Sequence, residues 1–228
     1  MSEYNILILG ASYGSLLGIK LVLAGHTVNM VCLPEEADLI NAEGARVRLP
    51  VRGQGTLVEI NSQNVAGKLS AAPTGAVDPS EYDLVALAMQ EPQYSSPGVR
   101  ELMDDIAKVR VPCMSIMNMP PPPYLARLPG LDASALSDCF TDHSIWDNFD
   151  PALMTLCSPD AQAFRPPEEE VNLLQVGLPT NFKAARFDSD QHNDMLRQLA
   201  ADVEAIRYSH GGESIALPVK LRVHESLF

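Results

Sequence analysis

Residues 4–32 hold the strongest constraint on this chain. Tyr4-Asn5-Ile6-Leu7-Ile8-Leu9 is a short apolar run of strand formers, and it breaks at Gly10-Ala11-Ser12-Tyr13-Gly14-Ser15. A stretch of helical character follows from about Tyr13 to Ala24 and stops at Gly25-His26; Thr27 to Cys32 then reads as a second, β-branched strand. Strand, glycine turn, helix and strand within about thirty residues make a βαβ unit. Such a unit at the head of a chain points to an α/β fold. Its turn is the usual seat of a dinucleotide pyrophosphate, because backbone N–H groups at a helix N-terminus are free to bind an anion.

The chain has 228 residues, enough for one large domain or one and a half. Its net charge of −13 argues against a nucleic-acid or anionic-membrane partner, since neutralising phosphates needs a basic surface. Cys32, Cys113, Cys139 and Cys157 are far apart and form no CxxC pair, so neither a zinc site nor a disulfide framework is indicated and no metal is expected. Cys32 and Cys113 sit inside apolar strands and read as buried hydrophobes. No basic leader precedes the first strand, and the apolar runs fall short of the ~20 residues that span a bilayer, so the cytoplasm is the expected location. Many of the 18 prolines fall between Pro112 and Pro179, which makes that part loop-rich.

Further along, Pro34-Glu35-Glu36 opens a short helix that Gly44 ends. Val47 and Leu49 alternate with Arg46 and Arg48 as an exposed or edge strand, with Thr56 to Ile60 as its partner. Residues 61–80 read mostly as loop. Tyr82 to Met89 is a buried parallel strand, Val99 to Lys108 a helix, and Val111 to Met117 another buried strand that ends in Asn118-Met119 and four prolines. Those prolines force an extended path that could wall a cleft at the carboxyl ends of the strands. Leu153 to Cys157 and Val171 to Gly177 look like further strands. Asp188-Ser189-Asp190 starts a helix in which Met195, Leu196, Leu199, Val203 and Ile206 share one face.

This order resembles the nucleotide-binding domain of the ketopantoate reductase family. Ile6-Leu7-Ile8-Leu9-Gly10-Ala11 followed by Gly14-Ser15-Leu16-Leu17-Gly18 is similar to that family's opening strand, turn and helix, and Gly25-His26-Thr27-Val28 to its approach to strand two. Asp83-Leu84-Val85 through Ala88-Met89-Gln90 stands where the family has a strand ending in lysine, and Ser115-Ile116-Met117-Asn118 where it has one ending in Asn-Gly. The resemblance covers residues 4–128. It implies a Rossmann domain that holds NADP, an asparagine near the nicotinamide and substrate, and a following helical domain that supplies a catalytic lysine. The implied reaction is hydride transfer to a 2-oxo group.

The sequence departs from that pattern in four ways. The family turn is G-x-G-x-x-G, whereas Gly10 to Gly14 is one residue short and Ser12 stands near the second glycine, where close backbone approach to the pyrophosphate is wanted. The position of the family's 2′-phosphate arginine is Leu33, followed by Pro34-Glu35-Glu36; acidic groups there repel a 2′-phosphate and accept from a ribose 2′-OH, so NAD is slightly favoured over NADP. The same glutamates are equally the acidic first turn that a helix dipole prefers. The strand-end lysine is Gln90, and Met119 follows Asn118. Only about 50 residues follow Thr180, where a helical domain needs about 100.

These residues support a Rossmann-like, doubly wound α/β fold with a mostly parallel sheet over residues 1–180. Residues 181–228 form a short helical segment and tail, read as the start of an incomplete second domain. The function expected is an NAD(P)-dependent oxidoreductase acting on a carbonyl or hydroxyl carbon of a small polar acid. Gly10, Ala11, Ser12, Tyr13, Gly14 and Ser15 would cradle the pyrophosphate, and Leu33, Pro34 and Glu35 would face the adenosine ribose. Ala88, Met89, Gln90 and Asn118 would line the nicotinamide end, with Asn118 the substrate-side candidate because an amide both donates and accepts. An uncovered cleft leaves room for a homo-oligomer. Two alternatives stand beside this reading. One is a non-catalytic nucleotide-binding or interaction domain with a degenerate turn. The other is a serine hydrolase using Ser12, since Gly10 to Gly14 also spells G-x-S-x-G.

Overall fold

The computed structural model describes residues 3–158 and 162–225. In chain order the elements are β1 (Asn5–Leu9), α1 (Ala11–Leu23), β2 (Thr27–Val31), α2 (Pro34–Glu43), β3 (Arg46–Leu49), β4 (Val58–Asn61), β5 (Lys68–Ala72), β6 (Leu84–Leu87), α3 (Val99–Val109), β7 (Cys113–Ser115), α4 (Pro122–Leu125), β8 (Met154–Leu156), β9 (Ala163–Phe164), β10 (Leu173–Val176), β11 (Phe182–Ala185), α5 (Asp190–Ala205), β12 (Tyr208–His210), β13 (Glu213–Ile215) and β14 (Leu221–His224).

The central sheet runs β5-β2-β1-β6-β7-β8, with every neighbouring pair parallel. The chain winds outward from β1 to β5 and then returns to build β6, β7 and β8 on the other side. That is the doubly wound Rossmann order, with its switch point between β1 and β6. Alternation along β1 serves the two faces: Ile6 and Ile8 pack with α1, while Leu7 and Leu9 pack with α3.

The two helices differ because their surroundings differ. α3 has one apolar face, made by Leu102, Met103, Ile106 and Ala107. α1 is buried from Gly14 through Val22, because a second sheet, β4-β3-β10-β9, covers its far side. Even Lys20 is enclosed there, with Nζ donating to the Pro218 carbonyl at 2.9 Å. Leu196, Leu199 and Val203 of α5 and Leu217, Val219 and Leu221 of the tail belong to the same core.

Among the strands outside the sequence reading, two bear on the frame. β5 falls in the segment expected to be loop. Its Lys68 and Ser70 are exposed and its composition carries little strand preference. Tertiary contacts hold it instead: Asn41 of α2 donates to the Ala71 carbonyl and accepts from the Ala71 amide, both at 2.8 Å, as a neighbouring strand would. β11 is the other, paired in parallel with β14. Among the described residues no helix is long and apolar enough to cross a membrane.

Candidate functional site

The carboxyl ends of β1, β6 and β7 converge around Gly10. Its φ of 104° is open to glycine and strained for other residues. Its N–H donates to the Val31 carbonyl at 2.9 Å, and a Cβ built on it would stand 2.6 Å from the Ala88 carbonyl oxygen. Gly10 is therefore the pinch where the ends of β2 and β6 close on the switch point.

α1 begins at once, at Ala11, two residues before the expected start. Its first α-helical bond runs from Gly14 N–H to the Gly10 carbonyl at 3.1 Å. The N–H groups of Ala11, Ser12 and Tyr13 precede that bond and take no backbone partner among the described residues. No acidic side chain stands in the first turn and no side chain caps it. Free donors at the positive end of a helix dipole make a place for an anion.

The structure splits the glycine-turn residues into two groups. Ser12 and Tyr13 are partly exposed at the crevice. Gly14 and Ser15 are buried in the helix–strand contact. A Cβ on Gly14 would meet Ile8 Cγ2 at 2.3 Å, so this glycine lets α1 lie close on β1, as the third glycine of a dinucleotide fingerprint does. The Ser15 hydroxyl donates to the Ala11 carbonyl inside the helix.

Beyond the pinch lies a pocket of about 240 Å³ between the first turn of α1 and the ends of β6 and β7. Tyr13, Met89, Gln90 and Glu91 form one side, and Ile116, Met117, Asn118 and Met119 the other. The predicted nicotinamide-end residues Met89, Gln90 and Asn118 thus meet in one place, with Ala88 behind them at Gly10. Gln90 Nε2 donates to the Tyr13 hydroxyl at 3.4 Å, across the crevice. Among the described residues no cationic side chain lines the pocket. The Glu91 carboxylate is turned to Thr141, accepting from its N–H at 2.9 Å and its hydroxyl at 2.7 Å. Among the described residues no histidine lines the pocket.

Tyr94 supports this pocket and carries no sequence motif that would mark it. It is fully buried, accepts from the Met89 N–H at 3.1 Å and meets Trp146 edge-on at 5.5 Å. Burial pushes its phenol well above the ordinary range.

At the other end of the crevice, Leu33 is 74% exposed as the N-cap of α2, and Pro34 and Glu35 are also exposed. Glu36 is different: Arg165, from just beyond β9, forms an ion pair with it. That arginine lies 129 residues away, so no local pattern could have found it.

The residues present fit a dinucleotide in outline. They give unpaired first-turn amides for a diphosphate, a glycine pinch at the switch point and an apolar pocket with amide donors for the ring. The Cβ of Ser12 narrows the approach to the diphosphate that a glycine would leave open.

No protein-family model and no curated protein matches the sequence. Solved structures do match in shape. A protein from Ralstonia solanacearum described as a ketopantoate reductase aligns over 99% of this chain and 62% of its own, at 15% identity and a TM-score of 0.65. A ketopantoate reductase from Ralstonia eutropha aligns over 98% of this chain and 57% of its own, at 14% identity and a TM-score of 0.53. D-mandelate dehydrogenase, solved with NADH and anilino(oxo)acetate, aligns over 87% of this chain and 53% of its own, at 16% identity and a TM-score of 0.53. The chain spans less than two thirds of each. It shares their Rossmann fold.

Proposed function

We propose that the chain is the coenzyme-binding part of an NAD(P)-dependent oxidoreductase of ketopantoate-reductase type. Hydride would pass between the nicotinamide and the carbonyl or hydroxyl carbon of a small polar acid. One observation carries this reading: the unpaired N–H groups of Ala11, Ser12 and Tyr13 open on the switch point of a doubly wound sheet. The fold shared with NADH-binding D-mandelate dehydrogenase supports it.

A bound nicotinamide coenzyme supplies the hydride. The chain's own residues bind and orient. The first-turn amides of α1 hold the diphosphate. Met89, Ile116 and Met117 make a dry wall for the ring, and the Gln90 and Asn118 amides direct polar groups of ring and substrate. With no cation in the lining, a substrate carboxylate would meet these amides or groups beyond the described pocket. Among the described residues Tyr13 carries the one phenol of the lining, and no lysine stands there. That absence favours a second reading, a domain that binds the coenzyme without turning it over alone.

Fluorescence titration with NADH and NADPH tests the proposal. Saturable binding is expected, and Ser12→Pro should weaken it about tenfold, because proline in a helix's first turn removes an N–H without breaking a helical bond. Unchanged binding by that variant would refute the diphosphate seat. Turnover of 2-oxo acids by the same sample separates the reductase from the binding-only reading.

A further inference from the structure

The ribose end of the crevice holds a charge arrangement that the sequence does not show. β2 ends at Val31, and Cys32 extends its ladder by donating to the Ala72 carbonyl at 3.2 Å. Glu36 follows in the first turn of α2. Read alone, Glu35 and Glu36 put two carboxylates where a coenzyme's adenosine ribose would lie, and two carboxylates repel a 2′-phosphate. Glu36 is not alone, however. The Arg165 guanidinium pairs with it, and the side chains are 26% and 14% exposed, so the pair is packed rather than waving in solvent.

The pair also lies beside the strand end. The half-buried Cys32 thiol is pushed up to about 12, first by burial, then by Glu36, with Arg165 acting in the opposite direction. Both charges are therefore within electrostatic reach of the last residue of the β2 ladder. This places a guanidinium, the group best matched to a phosphate, at a point where the local sequence offers only acids and Leu33. It arrives from just beyond β9, the edge strand of the second sheet, rather than from the β2–α2 turn.

We infer that Arg165 is the specificity-determining residue at the ribose end: it cancels Glu36 and presents a guanidinium to a 2′-phosphate, so that the chain accepts NADPH. The inference rests on the dinucleotide reading above and reverses the preference that Glu35 and Glu36 suggest on their own. Arg165 takes no part in hydride transfer. Its effect is on which coenzyme is held.

The test is a pair of titrations, NADPH and NADH, on the 228-residue chain and two variants. Arg165→Met should weaken NADPH about tenfold while NADH changes less than about threefold, the scale of one lost charge-assisted contact. Glu36→Gln keeps the arginine and removes its competitor, so NADPH should tighten about threefold with NADH little changed. This variant reads the same claim if Arg165→Met folds poorly. Equal weakening of both coenzymes by Arg165→Met, or an unmoved NADPH-to-NADH ratio in Glu36→Gln, overturns the inference and leaves the dinucleotide reading standing. Failure of the unaltered chain to bind either coenzyme overturns both.

Discussion

The two edges of the central sheet make an instructive pair. The amino edge carries the larger cavity, about 380 Å³, bordered by Tyr4, Tyr82, Asp83, Pro112 and His192, whereas the carboxyl-edge pocket is about 240 Å³. Yet several polar groups along the amino edge are already paired. Asn5 N–H donates to the Asp83 carboxylate at 2.8 Å, Asp83 N–H to the Asn5 carbonyl at 2.9 Å, and the Thr27 hydroxyl to Glu3 at 2.7 Å. His192 Nδ1 is left without a partner there. At the carboxyl edge three successive amides at the start of one helix have no hydrogen-bond partner among the described residues. Convergent unpaired donors at a switch point mark a site better than volume does.

That contrast can be broken first at Gly10. Gly10→Ala combines a left-handed backbone with a Cβ 2.6 Å from the Ala88 carbonyl, and neither strand end can yield. A loss of about 3 kcal/mol is expected in urea unfolding, together with loss of coenzyme binding. Gly14→Ala meets a branched, fully buried Ile8 at 2.3 Å and should cost about 1–3 kcal/mol. Gly18→Ala meets the flexible tip of Met30 at 2.4 Å and gains helix propensity, so its net effect should stay under about 1 kcal/mol. Equal losses at all three would mean that the glycines serve the helix alone and the pinch has no separate role.

The other end of α1 should respond to pH rather than to ligand. Burial, then the nearby Lys220, lowers Lys20 to about 7. The unfolded chain keeps that proton up to its ordinary value near 10.5, so unfolding between those values takes up a proton. Stability should therefore rise from pH 7 to 8.5, by about 1–2 kcal/mol, and Lys20→Met should flatten the rise. His26, lowered by burial against the opposing pull of Asp202, acts in the same sense, costing stability as pH falls through 6.5. Above pH 9 the buried thiols of Cys113 and Cys157, both raised by burial, oppose the trend because only the unfolded chain ionises them freely. Thermal melts across pH 6–10 read all of this. A stability that falls from pH 7 to 8.5 would contradict the enclosure of Lys20.

Much of this architecture is written locally. β1, β6 and β7 lie in apolar runs whose two faces are both covered, β2 alternates about Asn29, and α3 and α5 show a single apolar face, so periodicity finds them. β5 escapes because a side chain of α2, rather than its own composition, completes its edge. Within the site, Gly10 is legible because only glycine suits its backbone. Gly14 and Ser15 share its motif yet face the interior, because α1 starts directly after the pinch. Tyr94 and Arg165 act through contacts made only by the folded chain.

The most direct test of the account follows the backbone amides of the 15N-labelled chain by NMR while NADPH is added. The predicted result is that the amides of Ala11, Ser12 and Tyr13 move most, with Asn5, Asp83 and His192 at the amino edge still. Shifts confined to the amino edge, with the first turn of α1 unmoved at saturation, would contradict it.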